Sequence, residues 1–152
     1  MPVADARVRI AAPLDRVFAV MIDFASYPRW NPFVIRVDGE ARVGAPLALT
    51  VRWKGGGLAR SPERVIALEP PARGRARLAY RYEGLPSRFG AVRGDREQTL
   101  LALGPDATEY RTREEFHGFL RAFVPLAAVQ DGFERHAQAL CQEVERQCAC
   151  EP

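Results

Sequence analysis

Lysine is nearly missing from this 152-residue chain: Lys54 stands alone, and the rest of the 22 basic residues are arginines. The arginines are scattered among Asp and Glu, with no dense basic run and no interleaving with stacking aromatics. A net charge of +3 and a pI near 9.0 therefore do not make a nucleic-acid surface, and none is expected. The densest group, Arg73, Arg75, Arg77 and Arg81, has the two-residue spacing of one strand face, which is expected to meet solvent. Long apolar runs are missing too. The first ten residues alternate Arg7 and Arg9 with Val8 and Ile10, which argues against a secretory signal or a membrane span and for a cytoplasmic protein. Cysteine is scarce and crowded at one end: Cys141, Cys148 and Cys150 make no disulfide framework, and reduced thiols in a frayed tail are expected. The pair Cys148 and Cys150 has no second ligand pair, and His117 and His136 are the only histidines, so no metal is expected.

Familiar cofactor and nucleophile motifs are missing as well. Gly55, Gly56 and Gly57 follow Lys54 without the spacing of a phosphate loop and without a helix behind them. No GxSxG elbow occurs. No cofactor is expected. What the chain does have is 47% apolar and 27% charged residues, an ordinary globular balance at the length of one domain spanning residues 1–152.

Alternation marks a first strand over residues 6–11, and Pro13 opens a helix with Leu14, Val17, Phe18, Met21 and Ile22 on one stripe. Asp23 is expected to cap a short second helix, which Pro28 ends by Tyr27. Strands follow. Phe33, Ile35 and Val37 share one face, as do Leu47, Leu49, Val51 and Trp53 before the glycine turn. Further strands are predicted over about residues 63–68, 75–82, 96–103 and 108–116, with Pro70, Pro71 and Gly74 in one turn and Gly104, Pro105 and Asp106 in another. The link 84–94 carries Leu85, Pro86, Phe89 and Val92, more apolar side chains than a surface loop needs, and is a candidate lid. From near Pro125, Leu126, Val129, Phe133, Leu140 and Val144 mark one face of a helix of about twenty residues. The order predicts an α+β fold: an antiparallel sheet of about seven strands with helices on one face, two of them short and placed after the first strand.

The runs Ala12-Pro-Leu-Asp-Arg-Val-Phe-Ala19 and Asp23-Phe-Ala-Ser-Tyr-Pro-Arg-Trp-Asn-Pro-Phe33 resemble the opening of START-like helix-grip (SRPBCC) proteins, in particular the polyketide cyclase/dehydrase and lipid-transport branch. Glu69-Pro-Pro71 and Glu114-Glu-Phe-His-Gly118 add to the resemblance. It implies a curved sheet gripping the long C-terminal helix, with a ligand pocket between them that different members use for sterols, lipids, polyketides or hormones, and some for catalysis. Fold alone does not choose among these.

The residues supply candidates independently. Trp30, Phe33, Trp53, Tyr80, Tyr82, Phe116 and Phe133 fall on inward faces or at the junction before the first hairpin, where they either line a pocket or pack a core. Glu114 shares strand parity with Phe116, so it points inward with it, or else sits at the rim beside an arginine. His136 borders the apolar face of the terminal helix, as a ligand contact or as an ordinary boundary histidine. Together Glu114 and His136 are the candidate acid–base pair, facing each other across the pocket. Few titratable groups fall inward, which favours a binder of a hydrophobic small molecule, monomeric or homodimeric, over a polyketide cyclase, aromatase or dehydratase using the same cavity. Phe119, Leu120, Phe123 and Val124 read either as an exposed interaction patch or as one end of the pocket.

Overall fold

A computed structural model of the chain describes residues 1–151. Its order is β1 (Val3–Ile10), α1 (Leu14–Ile22), a 3-10 turn (Phe24–Ser26), α2 (Tyr27–Trp30), β2 (Val34–Asp38), β3 (Pro46–Arg52), β4 (Leu58–Ala72), β5 (Arg75–Tyr82), α3 (Leu85–Arg88), β6 (Arg93–Gly104), β7 (Ala107–His117), a 3-10 turn (Arg121–Phe123) and α4 (Leu126–Ala149). The strands form one antiparallel, curved sheet in the order β1-β7-β6-β5-β4-β3-β2. The meander from β2 to β7 needs only local hairpins, and β1 closes it by pairing with β7, Val3 opposite Glu115 and Ile10 opposite Thr108.

The concave face takes α1 and α4. Helix α1 begins behind Pro13, has Asp15 in its first turn, and buries Val17, Val20 and Met21, as its apolar stripe requires. In α4 the buried positions Val129, Gly132, Phe133, His136, Ala137, Leu140, Glu143 and Val144 recur every three or four residues, so one face lies on the sheet. Gly132 is needed there: a Cβ would stand within 2.3–2.6 Å of the Phe33 ring, which packs against this turn of the helix. Glu143, buried near the far end of α4, pairs with Arg29 of α2 at 2.7 Å and with Arg146 at 2.6 Å, and these hydrogen-bonded guanidinium groups hold its carboxyl down to about 2.

Several local expectations fail for identifiable reasons. Asp23 makes no side-chain cap; Ser26 Oγ donates to the Asp23 carbonyl instead. Tyr27 does not end the helical segment but begins α2, because Pro28 occupies the first turn, where its missing N–H costs nothing. A bulge between Val34 and Arg36 breaks the alternation of Phe33, Ile35 and Val37, so Phe33 and Val34 are both buried. Strand β4 runs through Pro62, Pro70 and Pro71 and turns only at Arg73-Gly74, both with positive φ (52° and 75°), as a two-residue hairpin demands. Arg73 therefore belongs to the turn and not to the strand face. Its fellows Arg77 and Arg81 do lie on the outer face of β5, each bidentate to an acid on β6, Glu97 and Asp95. The tail is not frayed at Cys148, which sits in the last turn of α4 packed against the core. No helix among the described residues is long and apolar enough to cross a membrane.

Candidate functional site

A cavity of about 390 Å³ lies between the concave sheet and the N-terminal half of α4. Its apolar walls come from Phe33 and Val34, Leu49 and Val51 of β3, Trp53, Phe116 of β7, and Val129 and Phe133 of α4. Phe33 packs edge-on against Phe133 at 6.2 Å and beside Trp53 at 5.9 Å, which fixes three of these walls relative to one another. The mouth is formed by two lips. Pro86 and Val92 come from the link that carries α3, and Leu120, Phe123, Val124 and Pro125 from the segment before α4. Leu120 N–H donates to the Ala91 carbonyl at 2.8 Å and joins the lips. The two readings of the 119–124 segment are therefore both partly met: Leu120, Phe123 and Val124 border the pocket end, while Phe119 and Phe123 stand 71% and 80% exposed.

The polar groups of the cavity form a row across four strands. Register pairs Tyr80 with Arg96 and Arg96 with Glu114, so all three point to the concave face, and Glu63 on β4 joins them opposite Tyr82. Arg96 is only 3% exposed. It donates from Nε to Thr112 Oγ1 at 2.9 Å, from Nη1 to the Tyr80 hydroxyl at 3.0 Å and from Nη2 to His136 Nδ1 at 3.2 Å. Its guanidinium carbon lies 4.3 Å from the centre of the Phe133 ring. Burial works against its charge, but Tyr80, Tyr110 and Glu114 outweigh this and the group stays ionised.

Glu114 makes no side-chain hydrogen bond among the described residues. Its carboxyl leans over Gly94, where an added Cβ would come 2.5 Å from Oε1, and the close approach explains a glycine at that position. Burial pushes the Glu114 carboxyl up to about 7; Arg96 pulls the other way and Asp95 adds to the rise. Burial raises Glu63 well above the usual carboxylate range, reinforced by Glu114 and opposed by the Ser61 hydroxyl, which donates at 2.8 Å. The cavity thus holds two carboxyls whose pKa values are raised by burial beside one guanidinium.

Of the expected site residues, Phe33, Trp53, Tyr80, Tyr82, Glu114, Phe116 and Phe133 all line the cavity. Trp30 and His136 do not, and each is a correction. Trp30 packs behind the cavity, its indole N–H donating to Ser26 Oγ at 2.9 Å and its ring edge-on to Tyr27. His136 is fully buried beneath Arg96, so it cannot face Glu114 across a void. Its tautomer follows from its neighbours. Asn31 Oδ1 accepts the backbone N–H groups of Phe33 and Val34, both at 3.0 Å, which turns Nδ2 toward His136. Both Asn31 Nδ2 and Arg96 Nη2 are donors, so Nδ1 accepts and the ring proton sits on Nε2, which has no partner. Burial, then the charge of Arg96, drives the imidazole well below its ordinary pKa and keeps it neutral. His136 is thus a positioning group for Arg96, stacked on Tyr110 at 6.1 Å.

The expectation of a wall poor in titratable groups also falls, because Glu63 and Arg96 both point inward and line the cavity. The signal was available: Arg96 shares parity with Gln98 and Leu100, and Glu63 with Val65.

A curved antiparallel sheet gripping a long terminal helix over an apolar cavity defines a helix-grip protein. Residues 1–145 match the family described as polyketide cyclase/dehydrase and lipid transport, and the chain belongs to it. Among solved structures it is similar to the ZhuI aromatase/cyclase from Streptomyces sp. R1128 (22% identity, 96% of this chain and 94% of that one, TM-score 0.76). It is also similar to a START superfamily protein from Mycobacterium smegmatis (22%, 95% and 98%, TM-score 0.70) and to norcoclaurine synthase from Thalictrum flavum (18%, 96% and 95%, TM-score 0.67). Comparison with curated proteins gives no match.

Proposed function

We propose that the chain binds an apolar small molecule of the lipid, polyketide or aromatic kind between the sheet and α4, as a cytoplasmic monomer or homodimer. The observation that carries this reading is the cavity of about 390 Å³ walled by Phe33, Trp53, Phe116 and Phe133, with a few convergent polar groups at one side. A preformed apolar pocket with sparse, placed polar groups is the usual form of a small-molecule site. Native mass spectrometry after gentle purification tests it. A copurified apolar compound, or uptake of a neutral naphthalene probe, is the expected result; an empty protein that takes up no such probe would sink the proposal.

A second reading has its own observation. A Glu114 carboxyl near pKa 7 can give and take a proton at working pH, and it stands in the same wall as the Tyr80 hydroxyl and Arg96. Cyclisation, aromatisation or dehydration of a flexible chain needs little more than a shaped cavity and one or two such groups. Two of the similar solved structures are named for synthetic activities, an aromatase/cyclase and a norcoclaurine synthase. In this case Glu114→Gln lowers turnover about a hundredfold while probe affinity and fold stay intact. Unchanged turnover would leave the binding role alone.

A further inference from the structure

Arg96 is a buried charge with no hydrogen-bonded counter-ion among the described residues. No carboxylate oxygen lies within salt-bridge distance of it among the described residues, although Glu114 is its neighbour on β7 and shares its face. Its three hydrogen-bond acceptors, the Thr112 and Tyr80 hydroxyls and His136 Nδ1, are neutral. Beyond these acceptors only the Tyr110 hydroxyl comes near the guanidinium among the described residues, and Arg96 forms part of the cavity wall. An oxyanion hydrogen-bonded to a buried guanidinium whose acceptors are all neutral is worth more in a dry site than in water.

The Glu114 carboxyl is close enough to be a cross-strand partner, yet it leans away over Gly94, a position that only a residue without a Cβ leaves open. Arg96 is held from behind as well. The imidazole is locked as an acceptor by Asn31, whose own orientation is set by two backbone N–H groups, so the guanidinium is aimed by a chain of contacts that ends in the backbone of β2. A group so carefully oriented and left without a hydrogen-bonded counter-ion is built to meet one from outside.

We infer that the cavity takes a ligand bearing an anionic oxygen, a carboxylate or an enolate on an apolar body, and that this oxygen docks on Arg96. The inference rests on the reading of the cavity as a small-molecule site and adds the chemical class of the occupant. The apolar body lies among Phe33, Trp53 and Phe116, and the oxyanion completes the donors that Thr112, Tyr80 and His136 leave free, in charge-assisted hydrogen bonds roughly twice as strong as neutral ones.

The test is calorimetric titration of the full chain with naphthalene-2-carboxylate and with its methyl ester, which differ in charge but little in shape. The carboxylate binds at least about tenfold more tightly than the ester. In Arg96→Met that preference disappears. Because Arg96→Met strands Thr112 and His136 and can fail to fold, a second measurement uses the unmodified protein. With carboxyl-13C probe, the bound carbon resonance remains that of the carboxylate about one pH unit below the pKa of the free acid. Equal or tighter binding of the ester, or a bound probe that is protonated there, overturns the inference and leaves the cavity reading standing. Binding of neither probe overturns both.

Discussion

Replacing Glu114 with Gln should make the protein more resistant to unfolding in mildly alkaline solution than in mildly acidic solution, relative to the parent chain. The carboxyl makes no hydrogen bond that the amide would lose, and the two side chains have nearly the same shape. In the fold its pKa rises from the ordinary 4.5 to about 7, chiefly because it is buried. Below 4.5 both folded and unfolded chains carry the proton, and the group does not affect stability. Between 4.5 and 7 the unfolded chain releases the proton and the folded one keeps it, so the unfolded state binds fewer protons and stability falls as pH rises. At about 1.36 kcal/mol per pH unit the full loss is about 3 kcal/mol, of which about 2.5 kcal/mol accrues between about pH 5 and about pH 8. Glu114→Gln removes this loss. Urea unfolding of both proteins at the two pH values gives a double difference in which His136, common to both, cancels. Glu63, whose carboxyl is pushed up partly by Glu114, ionises more readily in the variant and moves the result in the same direction. A double difference below about 0.5 kcal/mol, or of opposite sign, would refute the placement of this carboxyl in a poorly solvated wall.

Other consequences can be measured separately. Ligand binding should shift the emission of Trp53, a cavity wall, and leave that of Trp30 unmoved; single Trp→Phe variants assign the signal, and a change confined to Trp30 would contradict the wall assignment. His136→Ala strands two donors, Asn31 Nδ2 and Arg96 Nη2, and should cost about 2–5 kcal/mol in denaturant unfolding, whereas a boundary histidine would cost under about 1 kcal/mol. Because burial depresses the folded pKa of His136, its contribution is lost as pH falls through the unfolded value of 6.5, a slope that His136→Gln should abolish in the same assay. Gly132→Ala drives a methyl into the Phe33 ring and should cost about 1–3 kcal/mol, visible as a lowered Tm, unless paired with Phe33→Leu, which should restore most of it.

The sheet, both major helices and most of the cavity wall were legible because periodicity records which way a side chain points. Seven of nine expected site residues line the cavity for that reason. Periodicity does not record depth or company. His136 borders an apolar face as expected, but whether it meets a ligand or a guanidinium depends on Arg96, which sits forty residues away in sequence on another element. Arg96 itself was hidden by its type: arginine among alternating acids reads as solvent-facing, and only its parity with Leu100 says otherwise. Trp30 was misplaced because α2 continues through Pro28 and turns the indole behind the cavity. The bulge at Val34–Arg36 and the prolines inside β4 leave no local signature, since pairing partners settle both.

The manner in which the two lips are joined bears on how fast an occupant comes and goes. Where β6 and β7 end, at Arg93 and His117, the ladder gives way to a single backbone bond from Leu120 to Ala91. Parting the lips costs about 0.5–1.5 kcal/mol for that bond, whereas any route through the sheet must open several bonds together. Exchange should therefore be governed at this latch, and residence time can be tuned there without altering the walls that set equilibrium preference. Selectivity and turnover of the occupant are thereby assigned to different parts of the chain, the polar row under Arg96 and the tips of two loops.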